Sequence, residues 1–153
     1  MRTRHNGRSG KRFPGPVIVL PKAVFCSDEY RALSHRARAL LLTLHLTYNG
    51  RDNGSLRILF NRPRDYGFSG RQQLEMARNE LVIGGWIEVT RPGSREHVPT
   101  YYAMTWLEVN ANDNAGIRAR PASGLWRKER EAERDTWPVG APSPRPAVSE
   151  ARR

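Results

Sequence analysis

Residues 66–106, YGFSGRQQLEMARNELVIGGWIEVTRPGSREHVPTYYAMTW, carry an ordered set of signals that constrains the fold more than any other stretch. Ser69 stands where a helix cap is expected, and Leu74, Ala77 and Leu81 recur at helical spacing behind it. Gly84-Gly85 supplies the usual helix stop. Trp86 to Thr90 then alternates as a strand does, with Trp86, Glu88 and Thr90 opposite Ile87 and Val89. Arg91 to Pro99 gathers Pro, Gly, Ser and charges into a loop, and Thr100 to Trp106 returns as an aromatic-rich strand.

The preceding residues fit the same plan. Val17 to Leu20 is a short strand or extended run stopped by Pro21. Ser27-Asp28-Glu29 opens one or two helical turns reaching Leu33. Ser34 caps a stronger helix, His35 to about Thr47, whose buried stripe is Ala37, Leu40, Leu41, Leu44 and Tyr48. Two Asn-Gly steps make residues 48–54 a loop, and Ser55 to Phe60 reads as a strand. Asn61 caps a short helix that tolerates Pro63 in its first turn and ends at Gly67. The class is therefore mainly α with a small β-hairpin (α+β). Its order is that of a winged helix-turn-helix, a three-helix core plus wing, with 69–83 as the recognition helix and 91–99 as the wing.

At 153 residues the chain has room for one ordinary domain with flanks, and 38% hydrophobic content implies that part of it buries little. We divide it into a disordered basic arm (1–16), the winged-helix domain (17–107) and a mostly disordered tail (108–153). Within the tail, 125–134 has the charge pattern of a short helix suited to docking a protein. The formal net charge is +11, and the first sixteen residues hold five cations and no acid. Such an excess attracts polyanions, because each phosphate contact releases condensed counterions. GRSGKR in the arm has the wrong glycine spacing for a phosphate loop, and no Ser or Thr follows Lys11.

The single Cys26 excludes an internal disulfide or a Cys-rich metal centre. No signal-peptide pattern or membrane-length apolar run is present, so a cytoplasmic protein is expected, with no membrane partner. No pairing of His with Cys, Ser or carboxylate stands out. We therefore expect no enzyme, no cofactor and no metal, and read Asp65, Glu75 and Glu80 as solvated helix charges. His35 and His45 read as ordinary helix residues.

Double-stranded DNA is the expected partner. With Leu74, Ala77 and Leu81 inward, Arg71, Gln72, Glu75, Met76 and Asn79 lie on the outer face. Arg donates two hydrogen bonds to guanine, and Gln or Asn pairs similarly with adenine, so Arg71, Gln72 and Gln73 are the expected base readers. Ser69 serves as a cap and phosphate contact at the same helix start. Arg62 and Arg64 ahead of the helix, and Arg91, Ser94 and Arg95 in the wing, are the other candidate phosphate contacts. Arg71 and Arg78 are balanced by Glu75 and Glu80, so strong nonspecific affinity must come from arm and wing. The competing expectation is a protein–protein adaptor acting in a replication or transcription complex. No heptad seam predicts a dimer.

The segments PVIVLP, ALSHRARALLLTLHLTYNGRDNG, YGFSGRQQLEMARNELVIGGWIEVT and YYAMTW resemble small winged-helix proteins of bacterial phages, prophages and plasmids. The resemblance covers about Val17 to Leu107. It implies sequence-specific DNA binding in the replication or gene regulation of a mobile element, in a bacterial cytoplasm. It places the DNA-contacting helix on Ser69 to Leu81. RPRDYG is shorter than the corresponding helix of that family.

Overall fold

Helix α3 (His35–Thr47) organises the core. Its N-cap is Ser34, whose Oγ accepts the Ala37 N–H at 3.1 Å. Ala37, Leu40, Leu41 and Leu44 are completely buried, and each leucine so placed contributes about 1.5–3 kcal/mol. Tyr48 is half-buried, and His45 completes the inner face in its place. The His45 Nε2–H donates to the Val19 carbonyl at 3.0 Å, and its ring stacks on Trp106 at 6.0 Å.

The structure is a computed structural model that describes residues 16–94 and 98–127. It is an α+β arrangement of four α-helices and one two-stranded antiparallel hairpin. Two short helices, α1 (Lys22–Phe25) and α2 (Asp28–Ala32), precede α3; Ser27 caps α2 as expected, its Oγ accepting the Tyr30 N–H at 3.1 Å. Residues 17–20 form no strand, and Val17 to Leu20 are exposed. The expected Ser55–Phe60 strand contracts to a single bridge, Leu56 with Tyr102. Tyr66 explains the contraction: its Oη accepts the Leu59 N–H at 2.9 Å and donates to the Arg57 carbonyl at 3.3 Å. A side chain thus takes the backbone groups that a neighbouring strand would need.

A 3₁₀-helix, Pro63–Tyr66, follows; Arg62 rather than Asn61 occupies its N-cap, and Gly67 ends it in the left-handed region at φ 78°. Helix α4 (Arg71–Ile83) buries Leu74, Ala77 and Leu81 and packs against α3, the 3₁₀-helix and the hairpin. Its end is a Schellman closure. Gly85, at φ 71°, donates to Val82 O at 3.1 Å, and Trp86 N–H donates to Leu81 O at 2.8 Å. The turn delivers the chain into β1 (Ile87–Arg91), paired with β2 (Tyr101–Met104) in the register Ile87 to Met104 and Val89 to Tyr102. The register shifts between Val89 and Arg91.

Packing does not stop at Leu107, where the sequence analysis placed the domain boundary. Val109, Ala115 and Ile117 form a second buried cluster with Ala103, and a 3₁₀-turn at Leu125–Arg127 lays Trp126 on Trp86, 5.4 Å between ring centres. Buried Asn53 holds the corner. Its Nδ2 donates to the carbonyls of Met104, Leu107 and Glu108 at 3.0, 3.2 and 2.9 Å, and its Oδ1 accepts the Met104 N–H at 2.8 Å. Thr105 ties the returning chain to the Gly85 turn: its Oγ donates to Gly85 O at 2.7 Å and its carbonyl accepts Gly124 N–H at 2.8 Å. The basic arm up to residue 15 and the part of the 125–134 segment beyond Arg127 lie outside the described residues.

Candidate nucleic-acid interface

Helix α4 divides into four sides at 100° per residue. The inner side carries Leu74, Ala77 and Leu81. The outward side carries Gln72, Met76, Asn79 and Ile83, all exposed, with Met76 at 56% and Ile83 at 86%.

One flank is built on Phe60. The guanidinium of Arg71 stands 6.0 Å and that of Arg78 5.5 Å from the Phe60 ring centre, which suits a cation over an aromatic face. Arg71 is also paired with Glu75 at 2.6 Å. That pair is exposed and joins neighbouring turns, so it is worth only about 0.3–0.5 kcal/mol and gives way readily to a stronger anion. Burial pushes the Tyr102 phenol above its ordinary pKa, and the positive charge of Arg78 pulls it partly back.

The opposite flank meets the start of α3. The Glu80 carboxylate accepts the Ser34 N–H at 2.8 Å and the Ser34 Oγ–H at 2.6 Å. Glu80 is therefore an inter-helix cap and not the solvated charge expected of it; a carboxylate is stabilised at the positive end of α3. Met76, Ala77 and Glu80 on α4 and Ser34, His35 and Arg36 on α3 line a shallow groove there.

The remaining candidates fall around this helix as follows. Ser69 does not cap it: α4 begins one residue later than expected, with extended Gly70 at the N-cap and no side-chain cap. Ser69 Oγ instead donates to Gln73 Oε1 at 3.1 Å, which leaves Gln73 half-buried and partnered. The first N–H groups of α4 thus have no side-chain acceptor at the N-cap, and Gly70 exposes them to an incoming anion. Arg62 and Arg64 are exposed beside the 3₁₀-helix. Arg91 is half-buried at the shifted register, and exposed Ser94 donates its N–H to Val98 O at 3.1 Å. Arg95 and His97 lie outside the described residues.

The sequence reading overlooked Phe60, Arg57 and Arg36. Phe60 sat in an apolar run and read as strand. The signal for its role was the seven-residue spacing of Arg71 and Arg78, which puts both cations on one helix flank. Arg57 and Arg36 are exposed, on the bridge segment and on the first turn of α3.

Among the described residues, no group of three His, Cys, Asp or Glu side chains is placed to hold a metal ion. Among them, too, no helix is long and apolar enough to cross a membrane. Comparison with family models, curated proteins and solved structures finds no match for the chain.

Proposed function

We propose that this chain is a winged-helix protein that binds double-stranded DNA, with α4 in the major groove and the β1–β2 hairpin beside it. The observation that carries the reading is the exposed outward side of α4, with exposed Arg62 and Arg64 at the 3₁₀-helix packed on α4 and Arg36 in the groove beside Met76; exposed Arg57 adds to the positive charge. The order α3, Leu56 bridge, 3₁₀-helix, α4, hairpin supports it, since a winged helix needs a third strand segment against its hairpin. In this reading Gln72 meets base edges. Arg71, expected as a base reader, stands on the Phe60 flank and exchanges Glu75 for a phosphate. Arg62, Arg64 and Arg91 hold the backbone on either side, and the uncapped N-terminus of α4 adds N–H donors for a further phosphate. The role is regulation or replication of a phage or other mobile element.

A second reading, a protein–protein adaptor, draws on the exposed Val17 to Leu20 run, which shares a surface groove with Leu46 at the end of α3. Salt separates the two. Anisotropy titrations of a labelled duplex should show affinity falling steeply and linearly in log–log form as salt rises. Failure to bind any duplex at low salt would contradict the DNA reading.

A further inference from the structure

We infer that the outward side of α4 reads a short A·T core in the major groove; this rests on the DNA-binding reading and goes beyond it. Three exposed side chains face outward in the first two and a half turns: Gln72, Met76 and Asn79. Gln72 and Asn79 lie seven residues apart, near two full turns, so their carboxamides point the same way. The rise between them is about 10 Å, on the order of three base-pair steps. Met76 projects between them.

The charged residues of the same helix are turned aside. Arg71 lies on the flank, paired with Glu75 and placed over Phe60. Arg78 shares the Phe60 ring. Glu80 is committed to Ser34. No cation therefore stands on the outward line, where a bidentate donor to guanine would have to sit. A carboxamide offers one donor and one acceptor side by side, which matches the N6–H and N7 of adenine. An apolar tip such as the Met76 thioether matches the C5-methyl of thymine. The chemistry specified is adenine at two positions about three steps apart, with a thymine methyl between them.

The test uses the full-length chain. Duplexes selected from a pool with a randomised core are titrated by anisotropy, then remade with 7-deazaadenine, which lacks N7, or with uracil for thymine, which removes the methyl. Selected cores should contain the A·T element. Replacing the adenine under Gln72 should weaken binding by about 5- to 150-fold. That penalty should vanish in Gln72→Ala, while the adenine under Asn79 keeps its own until Asn79→Ala. Uracil should cost about fourfold, and nothing in Met76→Ala. All three residues are exposed, so the variants should keep the parent circular dichroism. Selected cores of G·C, or base-analogue penalties unchanged in the matching variants, would overturn the inference while leaving DNA binding intact. Recovery of no duplex from the pool would overturn the DNA reading itself.

Discussion

Replacing Asn53 with alanine should cost more than any loop substitution in a chain of this size normally does. Asn53 is completely buried, and its amide joins residue 53 to the corner at 104–108. Alanine leaves the Met104 N–H, itself completely buried, without its 2.8 Å acceptor. An orphaned buried backbone donor costs about 1–3 kcal/mol. The carbonyls of Met104, Leu107 and Glu108 also lose a donor; those of Leu107 and Glu108 are less enclosed and recover part of it from water. The sum is on the order of 2–4 kcal/mol, a large share of the ~5–15 kcal/mol that holds a domain folded. Urea unfolding followed by circular dichroism gives the number directly. Asn53→Asp sharpens the argument. It keeps the acceptor for Met104 but turns a carboxylate toward three carbonyl oxygens. The fold then favours the protonated acid, so the introduced group's pKa is raised above its unfolded value of about 3.9. Stability is fully present below that value and is lost as pH rises through the folded pKa. The deficit of Asn53→Asp should therefore shrink on acidification, while that of Asn53→Ala should not. An Asn53→Ala variant within about 0.5 kcal/mol of the parent would refute the account of the corner.

Other perturbations test the remaining joints. Trp126→Ala removes a buried indole stacked on Trp86 and should destabilise by about 3–5 kcal/mol, measured by thermal or urea unfolding; a negligible effect would return the domain boundary to Leu107. Glu80→Ala removes both Ser34 contacts and should cost about 0.5–2 kcal/mol in the same assay, with Glu80→Gln intermediate because it keeps an acceptor but not the charge. Burial raises the Tyr102 phenol pKa, so the fold's preference for the neutral form is intact below about pH 10 and stability falls as pH rises beyond it. Tyr102→Phe should flatten that alkaline loss in unfolding curves, leaving the share of Tyr48, whose pKa burial also raises.

Periodicity made the long helices legible. The caps and buried stripe of α3 emerge from Ser34 and the Ala37–Leu44 spacing alone, because thirteen residues give three and a half turns of consistent signal. Gly84-Gly85 located the end of α4 for the same local reason. Its start was displaced by one residue, since Ser69 and Gly70 both suit an N-cap and the Ser69 hydroxyl is taken by Gln73, four residues on, instead of by the backbone. Long-range hydrogen bonds were invisible. Glu80 and Ser34 are 46 residues apart, and Asn53 reaches Glu108 across 55. Neither pairing leaves a periodic trace. Residues 108–127 read as a polar tail because their apolar anchors, Val109, Ile117 and Trp126, are too sparse to make a pattern. They pack where the hydrogen bonds of Asn53 and Thr105 hold the backbone. At the site, the outward position of Gln72 and Met76 followed from helical geometry, whereas the commitment of Arg71 to Glu75 and Phe60 depended on a ring from another segment.

Mapping backbone amide shifts of isotope-labelled protein during titration with duplex DNA tests the central claim most directly. Shifts should concentrate at Gln72, Met76 and Asn79 and at Arg57, Arg62, Arg64 and Arg91. Shifts confined to Val17–Leu20 and Leu42–Leu46, or none at all as duplex is added, would contradict the assignment of α4 to the groove.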